Sequence, residues 1–156
     1  MKKSVFIILL IVTVITGCKK TEKQEEINPP KEVIQEQKAD ILSTSWMDDI
    51  QLNNEAKWEA NLETTEGVSK MQELLKGQTT SSIEDYHQLA SKLNGVKNKV
   101  VKECTMKGAS HDNLHIWLYP LIEKISALSE TDNLNDASKI KQSILENLEA
   151  YSDYFK

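Results

Sequence analysis

The chain has 156 residues, enough for one domain with a single hydrophobic core, and its 24 acidic residues outnumber 19 basic ones for a net charge of −5. Every basic residue is a lysine, so the chain lacks the clustered arginines that recognise phosphate, and we expect no nucleic-acid partner. Only 5 Gly and 3 Pro, with few aromatic residues, argue against a β-sandwich or barrel.

The N-terminus, residues 1–17, is organised like a secretory signal peptide. Two lysines near the start precede an apolar run from Val5 to Ile15, which is too short to span a bilayer comfortably as a helix. The run ends in Ile15-Thr16-Gly17-Cys18, which resembles the lipobox of bacterial lipoproteins. That resemblance implies cleavage before Cys18, with diacylglycerol and further acyl chains such as palmitate attached to it as the membrane anchor. An uncleaved helical anchor followed by a lone cysteine is the alternative.

Residues 18–40 are predicted to form the lipidated cysteine and a disordered, solvated tether. They are rich in Lys, Glu and Gln around Pro29-Pro30, and have too few apolar residues to offset the entropy lost on ordering. A short helix over residues 31–38 is the alternative. The lipid implies a cell-envelope location. In the enteric sorting rule, Lys19 after the cysteine favours the outer membrane over the inner one.

Residues 41–156 are predicted to form one helical domain, because their apolar residues recur at spacings of three and four. The first helix is predicted over residues 62–77, although Gly67 interrupts its pattern. The second begins at a capping box, Ser82–Asp85, and its apolar stripe continues through Cys104 to an end at Gly108.

The third helix is predicted to start near Ser110, and Pro120 should either kink it or start it afresh. The fourth is predicted to begin around residues 131–132, with an apolar stripe that reaches Phe155. Four amphipathic helices joined by short loops predict an all-α fold, an antiparallel up-down-up-down four-helix bundle.

The lead-in to the bundle is less regular. Trp46 and Trp58 flank Asn53-Asn54, a pair that favours a tight turn. The segment is predicted to be an irregular or hairpin lead-in that packs its tryptophans on the bundle, and an additional short helix is the alternative.

Residues 103–119 concentrate the side chains that could bind a metal ion. Cys104 is the only thiol that remains once Cys18 is lipidated, and Met106 adds a thioether. His111 and His115 are four residues apart, so they share one face of a helix. Soft sulfur with imidazole suits Cu(I), and thiolate with imidazole suits zinc. The sequence therefore predicts a metal site, copper before zinc, at the turn between the second and third predicted helices.

Two carboxylates are candidate helpers at this site. Bundle topology would bring Glu63, at the start of the first predicted helix, to the same end of the domain, and Asp112 lies between the two histidines. His87 should lie about 25 Å from Cys104 along the second helix and is predicted to be a surface residue.

Ordinary structural roles are the alternative for the same residues. Cys104 and Met106 can fill the core, Asp112 with its neighbours Ser110 and Asn113 can cap a helix, and the histidines can be solvated. The segment from Cys104 to Leu118 also resembles a pattern in small uncharacterised bacterial envelope lipoproteins, which carries no established activity.

No enzymatic motif accompanies these residues. The chain has no C-x-x-C-H haem attachment, no Gly-rich nucleotide loop and no G-x-S-x-G nucleophile elbow. We therefore expect a binding protein rather than an enzyme, with no haem and no nucleotide. The competing interpretations are a protein-interaction module that contacts an envelope protein through Trp46 and Trp58, and a redox protein that uses Cys104.

Overall fold

The computed structural model describes residues 40–156, so the predicted signal peptide, Cys18 and all of the predicted tether except Asp40 lie outside the described residues. One short helix, α1 (Trp46–Asp49), precedes four long ones: α2 (Leu62–Gly77), α3 (Ile83–Glu103), α4 (Ala109–Glu130) and α5 (Leu134–Tyr154). Isolated bridges are the only β-type pairing in this part of the chain, which confirms the all-α prediction. Of the helices described, none is long and apolar enough to cross a membrane.

The predicted capping box starts α3. The Ser82 hydroxyl accepts a hydrogen bond from the Asp85 amide at 3.2 Å, and the Asp85 carboxylate accepts one from the Ser82 amide at 2.9 Å. The Ser81 amide also donates to this carboxylate at 3.0 Å. Hydrogen bonds from Ser81 and then from Ser82 lower the pKa of Asp85 to about 2.

Two of the predicted helix ends are wrong by a few residues. The second predicted helix ends at Glu103, well before Gly108, and Cys104 is its extended C-cap residue. The fourth begins at Leu134, because the side chain of Asn133 accepts hydrogen bonds from the amides of Asn135 and Asp136. At the start of α5, the cap at Asn133 decides where the helix begins.

Helix α4 is continuous through Pro120, so the prediction that a new helix starts there is wrong. A proline in a helix removes one backbone hydrogen bond. The buried residues of α4 on both sides of Pro120, which include Trp117 and Leu121, hold the helix against its neighbours. Packing on this face offsets the lost bond.

The long helices contact one another in the pairs α2–α3, α3–α4, α4–α5 and α2–α5, an arrangement compatible with a helical bundle. Their apolar faces form one core. Its fully buried large side chains are Met71, Leu89, Leu93, Leu114, Trp117, Leu121, Leu128, Ile144 and Leu148. The core lies between the helices. The connection between α3 and α4 lies at one end of this core.

The lead-in contains both of the structures that the sequence offered as alternatives. It has the short helix α1 and a tight turn. Asn53 and Ala56 exchange two backbone hydrogen bonds, of 2.8 and 3.0 Å, around Asn54 and Glu55. Both central residues have positive φ, at 49° and 69°, as in the tight turns of β-hairpins. Beyond the turn, Trp58 pairs in parallel with Phe155 at the other end of the chain.

Candidate functional site

The two histidines predicted as ligands lie side by side on the first turns of α4. The ring centres of His111 and His115 are 4.2 Å apart, with an angle of 53° between the ring planes. Two imidazoles that bind one tetrahedral metal ion at about 2.1 Å have ring centres roughly 5.3 Å apart. The rings therefore lie about 1 Å closer than one shared tetrahedral ion would place them, and both side chains are only half-buried.

Tyr119 extends this row by one more turn of α4, and sequence reasoning missed it. Its hydroxyl lies 3.1 Å from Nδ1 of His115, and the two ring centres are 5.1 Å apart. The spacing of four residues that identified the histidines also connects His115 to Tyr119, so the signal was present in the sequence. The side chain of Tyr119 is 57% exposed.

The sulfur ligands predicted for the site occupy the connection between α3 and α4. Cys104 is a free thiol, and both Cys104 and Met106 are half-buried against the core. Burial raises the pKa of the Tyr151 hydroxyl, the hydrogen bond with Thr65 opposes that shift, and Cys104 adds to it. Across residues 40–156, no three His, Cys, Asp or Glu side chains converge as a metal-binding group.

Glu63 lies at the end of the domain where bundle topology predicts it. The Asn61 amide group donates to the Glu63 carboxylate at 2.8 Å and to the backbone carbonyl of Glu103 at 3.2 Å. The hydrogen bond from Asn61 is the main cause that lowers the pKa of Glu63. Asn61 thus ties the start of α2 to the end of α3, beside the connection that carries Cys104.

The N-terminus of α4 has no side-chain cap. Gly108 is its N-cap residue with φ 62°, and no side chain caps the helix, so Asp112 is an exposed first-turn carboxylate rather than a cap. Asn113 instead accepts a hydrogen bond from the Gln51 amide at 2.8 Å, which fixes the lead-in to α4.

His87 lies at the opposite end of the α3–α4 pair, as predicted, but it is half-buried rather than a free surface residue. Its Nε2 lies 3.0 Å from the backbone carbonyl of Thr131. Since a carbonyl oxygen only accepts, Nε2 is the donor in this bond. His87 thus closes the junction between α4 and α5 and is separate from the His111–His115 pair.

The prediction that the lead-in packs its tryptophans on the bundle is confirmed for Trp46, and the competing interpretation of an exposed contact surface is wrong for this residue. Its side chain is only 6% exposed and packs edge-on against Tyr154, with ring centres 6.1 Å apart. Trp58 is half-buried, and its Nε1 donates to the Gln51 carbonyl at 2.6 Å. Large apolar rings gain more by packing on the bundle than by facing water.

No protein-family model matches the chain, and no curated protein or solved structure matches it either.

Proposed function

We propose that the chain is a non-enzymatic lipoprotein of the cell envelope whose helical domain binds a soft or borderline metal ion, copper before zinc, through His111 and His115. The single observation that carries the proposal is the 4.2 Å separation of the two imidazole rings. The lipobox-like segment that ends at Cys18 supports the anchor. Its Lys19 supports the outer membrane as the site of attachment.

The hydrogen bond between His115 and Tyr119 favours metal binding by orienting the imidazole. When Nδ1–H of His115 donates to the Tyr119 oxygen, the lone pair of Nε2 is left for a metal ion. A ligand whose ring orientation is fixed in advance loses less entropy on binding. Tyr119 is therefore a positioning residue for His115.

Cys104 and Met106 are further ligands in this proposal. Residues 104–107 lie outside the helices, so their backbone can turn toward α4 without unwinding either neighbour. The thiolate and thioether would then favour Cu(I). Glu63 and Asp112 would act from outside the ligand set, as hydrogen-bond acceptors for the imidazoles.

The bundle itself is inferred to run up-down-up-down with antiparallel neighbours. Two contacts between α2 and α5 support this topology. Thr65 bonds to Tyr151 at 3.1 Å, and seven residues later Gln72 donates to the earlier carbonyl of Leu148 at 3.0 Å. Contacts that advance along α2 and recede along α5 are those of antiparallel helices.

The experiment is a titration of residues 18–156, carrying Cys18→Ser to avoid lipid and a second thiol, with Cu(I) and Zn(II). We expect one ion to bind, and His115→Ala to weaken binding by roughly a hundredfold, since loss of a ligand should exceed the loss caused by an outer partner. His87→Ala is the matched control, and Cys104→Ser measures the contribution of sulfur.

Equal and weak binding by the parent chain and His115→Ala would refute the metal site. The protein-interaction module and the redox role of Cys104 would then be the remaining interpretations. Binding that is lost in His115→Ala and kept in Cys104→Ser would restrict the site to the imidazoles of α4.

A further inference from the structure

The histidine pair on α4 is incomplete as a metal site within one chain. A zinc ion held by protein side chains is normally four-coordinate and tetrahedral. His111 and His115 supply two nitrogens, and among residues 40–156 no third His, Cys, Asp or Glu side chain converges with them. Two positions on the ion are therefore left for groups that come from elsewhere.

The sulfur atoms of the same chain can fill these positions only if the connection between α3 and α4 rearranges. Cys104 and Met106 are half-buried and pack against the core. Drawing them onto an ion at the histidine pair removes those apolar contacts, which costs free energy. Cu(I) prefers sulfur and offsets this cost, whereas imidazole nitrogen alone suits Zn(II). A second pair of imidazoles therefore completes a zinc site without any change in the fold.

The face of α4 that carries the pair is open to a second molecule. Both imidazoles are only half-buried, and Asp112 between them in sequence is exposed. Tyr119, whose hydroxyl bonds to His115, is 57% exposed. The three rings lie in one row because they are spaced four residues apart on a helix. Such a row can meet the same row of another chain without opening the core.

The charge around the pair permits two copies of an acidic chain to approach each other. The whole chain has a net charge of −5, so two copies repel each other overall. Residues 101–119, however, carry Lys102 and Lys107 against Glu103 and Asp112, so their net charge is zero while the histidines are neutral. Electrostatic repulsion is therefore small where the two histidine pairs would meet.

We propose that Zn(II) joins two copies of this chain through four imidazoles, His111 and His115 of each copy. The inference rests on the proposed metal site and names the partner that completes it. A two-fold axis through the ion brings the same patch of both chains together, as in the commonest class of oligomer. The two rings of each pair separate by about 1 Å to accept a tetrahedral ion. Zinc would then control whether the anchored chains pair.

The test is the molar mass of residues 18–156, carrying Cys18→Ser, measured by light scattering during a titration with Zn(II). The mass should roughly double once about half an equivalent of zinc has been added, since four ligands from two chains hold one ion. EDTA should restore the monomer. His115→Ala should stay monomeric at the same zinc concentration. Cys104→Ser and the matched control His87→Ala, which lies at the opposite end of α3, should dimerise like the parent chain.

The outcomes separate this inference from the metal site on which it rests. One zinc ion bound per chain with no change in mass would overturn the inference and leave the metal site standing. Absence of zinc binding would also overturn it, and the copper titration would then decide whether the metal site itself survives. Dimerisation that persists in His115→Ala, or that is lost in Cys104→Ser, would contradict a bridge made of imidazoles alone.

Discussion

The most deeply buried charge in the described chain is Lys124. Its side chain is 1% exposed, and its ammonium donates to the Asn147 side-chain oxygen at 3.0 Å. The Asn147 amide donates in turn to the Trp117 carbonyl at 3.2 Å, and the Trp117 ring N–H donates to the Asn147 carbonyl at 2.8 Å. These bonds join α4 to α5 through a polar network inside an apolar core.

Burial lowers the pKa of Lys124, and the nearby carboxylate of Glu146 only partly opposes that shift. The unfolded chain keeps its proton up to the ordinary value of 10.5, whereas the folded chain releases it at lower pH. Between those two values the unfolded state binds more protons, so the free energy of unfolding rises with pH. Lys124→Met removes this titration.

We therefore expect the wild-type chain to gain stability relative to Lys124→Met as the pH rises toward 10.5. Urea denaturation of both proteins across this range measures the difference. The raised pKa of Tyr151 acts in the opposite direction, but it is common to both proteins and cancels. A difference that stays flat with pH would show that burial does not lower the pKa of Lys124 in the folded chain.

At the scale of the elements, α2 packs against α3 at Gly67 without room for a side chain. A Cβ atom added there would collide with the side chain of Val100, which is itself buried. The glycine that weakens the helical pattern of the sequence is thus required by helix packing. No such contact surrounds Gly95 on α3, where the space is open.

Gly67→Ala and Gly95→Ala should therefore change stability in opposite directions. Gly95→Ala should raise the free energy of unfolding by up to about 1 kcal/mol through helix propensity. Gly67→Ala has the same propensity gain, but overpacking against Val100 should cost about 1–3 kcal/mol. Urea denaturation decides the signs. Val100→Ala should cost less in the Gly67→Ala background than alone, and strict additivity would count against the collision.

Features that depend on residues close together in the sequence could be predicted from capping and spacing rules. The capping box of Ser82 and the facing pair His111 and His115 follow from residues four or fewer positions apart, and both are present. The position of Cys104 could not be predicted in the same way. Its apolar spacing continues α3, but the chain leaves the helix at Glu103, where Asn61 of a different element bonds to the backbone.

The lead-in shows the same limit at longer range. The turn beside Asn53 follows from local residue preference, and the two lead-in tryptophans are placed by contacts with the far end of the chain. Trp46 packs against Tyr154, which lies near the other end of the described chain. A pattern of residues spaced three or four apart cannot encode a contact over such a separation in sequence. The sequence predicted that the tryptophans pack on the bundle, but it could not identify Tyr154 as the partner of Trp46, because that partner lies outside the range of helical periodicity.

At the scale of the whole molecule, the lead-in and the C-terminus are joined. The Trp58 amide donates to the Tyr154 carbonyl at 2.8 Å, and the Lys156 amide donates to the Trp58 carbonyl at 3.0 Å. Phe155, between these bonds, is buried and stacks on Tyr151 at 5.0 Å between ring centres. The two ends of the described chain therefore stabilise each other.

Phe155→Ala should then weaken the entire domain and not only its last turn. Removal of a buried phenylalanine costs about 3–5 kcal/mol, whereas Leu134→Ala, at a residue that is 50% exposed, should change the free energy of unfolding by about 0.5 kcal/mol or less. Urea denaturation followed by circular dichroism and tryptophan fluorescence measures both. In a Trp117→Phe background the remaining tryptophans, Trp46 and Trp58, lie on the lead-in, so coincident transitions would show that it unfolds with the helices. An early fluorescence transition in that background would mean that the lead-in is a separate unit, and the coupling inferred from these bonds would be wrong.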